Sequence, residues 1–359
     1  MKHIINFSDF HMHFFKDFSE PDPEYGTDRA REQVMILDNL LKYAKSVGGD
    51  VLFNGDLFHK RVSIDVRLFN MLFNVFSAYP EVEVFLLSGN HDKVTNSLFS
   101  ESALEPFGAL PNVTVCSTYG VYVRDGYTIY AVSYGDEVEE MKEWIAEQSD
   151  LLDKTTVNIL CAHVGVDGSS TGSYSHTLGG AFTVADLYPD KFDIVTLGHY
   201  HKRQFLGGLD NIFYVGNTLQ TSFADEGQEK GYYDIKITKG NPHKQHGSYV
   251  ELDFIKTDYT PFEIVTADSA SSTGALDKAY TQFIGTPEEA EAVRKIKEKN
   301  NLKNIRIKVQ KDYYVEPRIN ISAGSTPEEV THAFIDKKYK NADPLRIKAL
   351  DCLKEATQI

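Results

Sequence analysis

Five short stretches carry side chains that can bind metal: Asp9-x-His11, Gly55-Asp56, Gly89-Asn90-His91-Asp92, His163 and Gly198-His199-x-His201. Asp9, His11, Asp56, Asn90, His163, His199 and His201 together offer two carboxylates, one amide oxygen and four imidazoles. One divalent ion seldom uses so many donors. Two adjacent ions do, particularly when one carboxylate bridges them. Oxygen and nitrogen donors without thiolate suit manganese, iron or zinc in a reactive site and disfavour a structural zinc. A pair of ions is a standard device for hydrolysing phosphate esters, because it activates water and offsets charge on the phosphate oxygens. His91 is then a spare imidazole, needed by neither ion, that can donate a proton or hydrogen bond to the leaving oxygen. Asp92 reads as a supporting or helix-starting residue. Taken singly, each stretch is more often a turn or a cap. Five in succession, each after a strand-like run, point to one site. His3, His13, His176, His243, His246 and His332 read as surface or supporting residues, with His176 in the loop that follows His163.

The elements that must position these side chains are legible around them. Residues 2–9 read as a first strand ending at Asp9. Thr27-Asp28 can cap a helix to about Val47, with Val34, Leu37, Leu41 and Ala44 at helical spacing and Gly48-Gly49 as the stop. Val51-Leu52-Phe53 is a second strand, ending at Asn54-Gly55-Asp56, and a second helix is expected from Ser63 to about Tyr79. Val82 to Leu87 leads to Asn90. This alternation implies parallel strands with their ligand-bearing ends at one edge. The middle is richer in strands, with Asp125-Gly126 as a hairpin turn and a helix from Glu137 to about Asp153. Val157–Ala162 and Phe192–Leu197 are buried strands ending at His163 and Gly198. The glycines before Asp56, Asn90 and His199 allow tight turns where backbone passes close to the ions. Beyond Thr257–Pro261, Thr-Pro-Glu-Glu occurs at 286–289 and at 326–329, each a helix start with a capping box, and a last helix can begin at Asp343-Pro344.

Bulk properties set limits. A chain of 359 residues suggests two or more domains. No apolar run approaches a membrane span, and the first residues lack the pattern of a signal peptide, so a cytoplasmic protein is expected. Cys116, Cys161 and Cys352 are widely spaced in apolar contexts and read as reduced core thiols. The net charge of −15 is uneven: residues 239–359 hold 19 Lys+Arg against 18 Asp+Glu, and the rest 18 against 34. This argues against a free-standing, non-specific DNA binder, but not against local basic patches or a partner that supplies charge.

The five stretches, spanning residues 9–201, resemble the motifs of the calcineurin-like metallophosphoesterase superfamily. The resemblance implies an α/β fold in which a double β-sheet sandwich is flanked by helices. It implies that Asp9, His11, Asp56 and His201 hold one ion, that Asp56, Asn90, His163 and His199 hold the other, and that Asp56 bridges them. A closer resemblance is to the SbcD-like nucleases, the catalytic subunits of complexes that process DNA double-strand breaks, including phage-encoded recombination nuclease subunits. Gly55-Asp56-Leu57-Phe58-His59 matches their second motif. Protein phosphatases of the superfamily carry Asp and then Arg-Gly where this chain has His59-Lys60-Arg61, so the usual carboxylate partner of His91 is missing. In the nuclease family a histidine at the place of His59 is associated with exonuclease action. The stretch 214–223, with Glu226 and Lys230-Gly231, resembles the close of the nuclease domain.

The resemblance further implies a nuclease domain over 1–256, a small α+β DNA-binding cap over 257–318 and a helical segment over 319–359 that binds an SbcC-like ATPase. The expected activity is a 3′–5′ double-strand exonuclease and single-strand endonuclease in a bacterial or phage-infected cell. It would use two divalent ions, manganese foremost, with magnesium, iron and zinc as the other candidates. A homodimer is expected, with the apolar helix around Leu68, Met71, Leu72 and Val75 as its surface, against ordinary core packing of the same residues. Two other functions compete: a phosphoesterase acting on a small nucleotide or a phosphoprotein, and a non-catalytic DNA-end scaffold.

Overall fold

The computed structural model describes residues 1–170, 181–240, 247–266, 278–310, 326–339 and 342–356. The chain divides into two compact units, Met1–Lys308 and Val309–Ile359. The first unit begins with β1 (Lys2–Phe7), the short pair β2 (Pro21–Asp22) and β3 (Gly26–Thr27), α1 (Asp28–Val47), β4 (Asp50–Phe53), α2 (Val66–Ser77), β5 (Val84–Leu87) and β6 (Val113–Cys116). There follow the hairpin β7 (Tyr119–Arg124) and β8 (Tyr127–Val132), α3 (Val138–Asp150), β9 (Val157–His163), β10 (Ile194–Gly198), β11 (Gln204–Phe205), β12 (Ile212–Tyr214), β13 (Gly231–Lys239) and β14 (Ser248–Lys256). It closes with β15 (Phe262–Val265), β16 (Tyr280–Gly285), α4 (Pro287–Lys299) and β17 (Ile305–Val309), whose last residue falls in the second unit. The second unit carries α5 (Pro327–Lys338) and α6 (Asp343–Ala356).

Two six-stranded sheets are formed, in the orders β14-β13-β1-β4-β5-β6 and β11-β12-β10-β9-β8-β7. Their central strands are buried throughout, because both faces are covered. Alternate residues feed different cores. Ile4, Leu52, Phe85 and Leu87 face the second sheet and pack with Ile129, Ile159, Cys161 and Phe213. Ile5, Phe7, Val51, Phe53 and Leu86 face the other way, onto α1 and α2. In the second sheet Tyr130, Leu160, Val195 and Tyr214 pack with Met141 and Ile145 of α3. The result is a double-sheet sandwich flanked by helices, as the motifs imply.

The helix boundaries follow local chemistry. Thr27 accepts a hydrogen bond from the Ala30 amide, and Gly48 ends α1 in the left-handed region at φ 60°. The second helix starts later than Ser63, because Asp65 caps it by accepting from the Arg67 amide. Its Leu68, Leu72 and Phe76 are core residues, whereas Val66 is exposed and Met71 and Val75 are half-buried. Thr286 and Thr326 both complete reciprocal capping boxes.

Besides the two-residue strands β2, β3 and β11, one longer strand was not expected. Tyr280–Gly285 forms β16, the middle of the three-stranded sheet β15-β16-β17. The sheet is pinned to the loop after β1 by aromatic contact: Phe18 stacks on Tyr280 at 5.4 Å and lies 6.1 Å from Phe262. The buried guanidinium of Arg29 lies over Phe15, Phe262 and Tyr280 and donates to the carbonyls of Asp17 and Thr221. Cys116 and Cys161 are buried as expected, but Cys352 is exposed on α6. Its apolar neighbours in sequence do not enclose it, because a two-helix unit has little interior. The expected positions of His176, His243 and His246, and the parts of the expected cap at 267–277 and 311–318, lie outside the described residues.

Candidate metal centre

Parallel pairing sets the ends of β1, β4, β5, β9 and β10 at one edge. The two loops that follow β1 and β4 are zipped together: the amides of Asp9, His11 and Met12 donate to the carbonyls of Gly55, Asp56 and Leu57. A buried polar triangle ties the sheets just beneath. Asn6 donates to the Asn54 side chain at 2.8 Å, Asn54 donates to the Thr196 hydroxyl at 2.8 Å, and Thr196 donates to Asn6 at 2.5 Å. Each of these side chains is fully buried and satisfied, which fixes one arrangement of the two sheets.

Four of the seven proposed ligands have left-handed backbone: Asp9 (φ 49°), His11 (φ 50°), Asp56 (φ 63°) and His199 (φ 107°). Such angles cost energy in non-glycine residues and concentrate at functional sites. The turns also leave no room for side chains on the neighbouring glycines. A Cβ on Gly198 would sit 2.3 Å from the Asn54 carbonyl oxygen and 2.4 Å from the Ser8 hydroxyl. Gly198→Ala is therefore expected to cost about 1–3 kcal/mol in urea unfolding and to weaken manganese binding by calorimetry.

All seven residues come together. The Nε2 atoms of His11 and His201 lie 2.9 Å apart, and Asp56 Oδ2 lies 3.7 Å from His11 Nε2 and 3.5 Å from His163 Nε2. Asn90 Oδ1 is 3.1 Å from His163 Nε2 and 3.2 Å from His199 Nδ1. Asp9 groups with His11 and His201 on one side and with Asp56 and His163 on the other. Asp9, His11, Asp56 and His163 are almost wholly buried. His163 donates from Nδ1 to the Asn54 carbonyl at 2.7 Å, which turns its Nε2 inward towards Asp56.

The electrostatics suit cations. Burial raises the Asp9 carboxyl, opposed by the charges of His163 and His201. Burial also opposes ionisation of Asp56, yet the charge of His163 and its hydrogen bond, followed by His11, hold that carboxyl well below the usual range. Burial and then His201 push the His11 imidazole well below its ordinary value, and burial and then His163 push His199 down to about 4. Burial opposes charge on His163, but Asp56 raises that imidazole to about 9. Neutral imidazoles and ionised carboxylates are the ligating forms, so a metal at His163 would displace the proton that Asp56 favours there. Side-chain nitrogens and oxygens of His11, His201, Asn90, His163 and His199 converge to within 2.9–3.2 Å of one another, close enough to share protons or metal ions. The site residues thus fit a pair of divalent ions, and thiolate is absent from the cluster.

His91 and His59 flank this cluster. The His91 ring lies 4.8 Å from that of His11 and stacks on His59 at 5.7 Å, and the three imidazoles form one close group. Burial, then His13 and His91, push His59 down to about 4. With no carboxylate hydrogen-bonded to its ring among the described residues, His91 is oriented by backbone: its Nδ1 lies 2.5 Å from the His59 carbonyl oxygen. The backbone amide of His91 donates to Asp56 Oδ1 at 2.7 Å.

Several supporting residues carry no obvious sequence signal. Asp92 starts no helix. Its carboxylate accepts from the amides of Asp56, Leu57, Phe58 and Gly89, binding two ligand loops to one side chain. Gln33 of α1 donates to the Phe10 and His11 carbonyls and accepts from the His13 amide. Buried Lys230 donates to the His201 carbonyl, Asp225 and Gln228. The motif pattern around 226–231 marked that lysine, but not its role. Lys230→Met strands the Asp225 carboxylate and is expected to cost about 3–5 kcal/mol in urea unfolding. The double variant D225N/K230M should recover part of the loss, because no buried unpaired charge remains.

Comparison with known proteins places this geometry in context. The family model described as calcineurin-like phosphoesterase matches residues 2–203. A dimetal phosphatase from Danio rerio aligns with a TM-score of 0.43 at 9% identity, over 69% of this chain and 98% of that one. The calcineurin-like phosphoesterase YfkN from Bacillus subtilis aligns with a TM-score of 0.37 at 14% identity, over 70% of this chain and 90% of that one. A 5′-nucleotidase precursor from Thermus thermophilus aligns with a TM-score of 0.36 at 13% identity, over 71% of this chain and 54% of that one.

Proposed function

Because the chain belongs to the calcineurin-like phosphoesterase family, a family of metal-dependent hydrolases of phosphoesters, we propose that it is a DNA nuclease of the SbcD-like kind, cutting phosphodiester bonds. The observation that carries this reading is the pairing of His59 with His91. A protein phosphatase places a carboxylate near the equivalent of His91, whereas here a second imidazole stacks on it and its own carbonyl anchors it.

In this reading Asp9, His11, Asp56 and His201 hold one divalent ion, manganese foremost, and Asp56, Asn90, His163 and His199 the other. When bound, such ions supply Lewis-acid activation of the ester and a nucleophile at neutral pH. The chain's own residues do the rest. His91 presents Nε2 to the leaving oxygen, since Nδ1 is committed to the His59 carbonyl. His59, half-buried and held neutral, shapes the entry of the strand. The sheet β15-β16-β17 with α4 serves as the cap against DNA. In the second unit, Phe334, Leu345 and Ile347 leave apolar surface exposed, which supports binding to an SbcC-like ATPase. Exposed Val62 before α2 and Val66 at its first position support a homodimer surface there.

The decisive comparison is hydrolysis of linear duplex DNA against a nucleotide phosphodiester, with manganese and with and without a candidate ATPase. Degradation of DNA from its ends, faster with the ATPase, is expected. Cutting of the small ester alone, even with the ATPase present, would leave a small-molecule phosphoesterase.

A further inference from the structure

Beside the metal centre lies a cavity of about 320 Å³ that the proposed chemistry does not use. Three imidazoles step out towards it: His91 stacks on His59 at 5.7 Å, and His59 lies 5.0 Å from His13, which lines the cavity. Its inner wall is apolar, with Phe14, Ile64 and Leu68. Its rim carries Lys16 and Lys60, both exposed. Neither lysine forms an ion pair or hydrogen bond among the described residues. The one carboxylate in the lining, Asp65, is committed to Arg67, whose side chain donates to both its oxygens at 3.0 and 2.7 Å.

Two uncompensated ammonium groups on one cavity are notable in a chain of net charge −15. They make the cavity a local focus for anions next to a centre built for a phosphoester. An apolar wall beneath a cationic rim is also the chemistry that takes single-stranded nucleic acid: the wall accepts base and sugar, the cations the backbone. The volume is near the lower end for small-ligand sites, so it accommodates one nucleotide unit and not several.

We propose that this cavity is the subsite for the nucleotide adjoining the scissile phosphate, with Lys16 and Lys60 on the flanking phosphate and His13 continuing the row of rings from the reacting bond. The proposal rests on the nuclease reading above, and its test separates the two.

The test uses the full chain and the surface double variant K16Q/K60Q. A labelled single-stranded trinucleotide is titrated in chelator and followed by fluorescence anisotropy. The Kd is expected to rise at least tenfold in the variant. The slope of log Kd against log salt should also flatten by about 0.7, the loss of one single-strand phosphate contact. With manganese, kcat/KM for the trinucleotide should fall at least tenfold more than for bis(p-nitrophenyl) phosphate, which has no flanking nucleotide. Equal Kd values in the two proteins, or no binding of the trinucleotide by the unaltered chain, would overturn the subsite. If the unaltered chain binds the trinucleotide and hydrolyses the p-nitrophenyl ester but never cuts the trinucleotide, the nuclease reading fails, and the Kd comparison still decides the subsite.

Discussion

Replacing His91 with Asn is expected to lower kcat on DNA by about 10²–10⁴, the range for loss of a positioned proton donor. The size of the effect should depend on the leaving group. A sugar hydroxyl leaves as a strongly basic oxygen and needs the proton. A p-nitrophenolate leaves unaided, so the same variant should lose far less on bis(p-nitrophenyl) phosphate. Manganese affinity by calorimetry should stay within about threefold, because the ligand set of the proposed centre is untouched. A uniform loss on both substrates would mean that His91 positions the ester or holds charge, and does not act as an acid. The structure adds a control. Since His91 is anchored to the His59 carbonyl and not to the His59 ring, His59→Ala should leave its orientation in place. Its effect on a small phosphodiester with a basic alkoxide leaving group should accordingly be much smaller than that of H91N.

The second large effect is on folding. At pH 8, above the value near 7 to which burial and Asp56 push its carboxyl, Asp92 is an acceptor for four backbone amides within 2.8–3.2 Å. Asp92→Ala would leave all four donors buried without partners, at about 1–3 kcal/mol each before relaxation. A loss of about 4 kcal/mol in urea unfolding is expected, a large share of the ordinary stability of a domain. Asp92→Asn keeps one acceptor and turns an NH₂ group towards the other donor, so it should fall between the two. The loops carrying Asp56 and Asn90 are tied by this one side chain. Metal affinity should therefore fall together with stability, although Asp92 is not among the proposed ligands.

These two residues also mark where sequence reasoning succeeds and where it stops. The proposed donor set could be read because ligand chemistry demands particular side chains, and because each stretch stands at the end of a run of at least four buried strand residues. The ends of α1, α4 and α5 were legible for a similar reason: Thr27, Gly48, Thr286 and Thr326 act on their own neighbours. What orients His91 was not legible, because a backbone carbonyl is present at every position and leaves no trace in residue type. The clamp at Asp92 was hidden likewise, since three of its four partners are amides 34–36 residues away. The strand β16 was missed because Thr281 and Gln282 dilute its apolar pattern, and its burial is supplied from afar by Phe18 and Phe262. Helix α2 begins three residues inside the expected range for a simpler reason. Both Ser63 and Asp65 can cap, and the sequence does not say which one does.

The joining of β1 to β13 has a consequence for the order of events during synthesis. Residues 2–6 pair with residues 233–237, so the first strand made waits for a neighbour more than 220 residues later. The proposed ligands are spread from Asp9 to His201 and over both sheets. A nascent chain shorter than about residue 201 lacks part of the donor set, and one shorter than about 240 leaves an edge of β1 unpaired. Distant pairing of this kind is slow and keeps sticky edges open. If the proposed donors bind metal, the centre can be complete only once the chain has grown past about residue 201, and its sheet closed only once β13 has paired with β1.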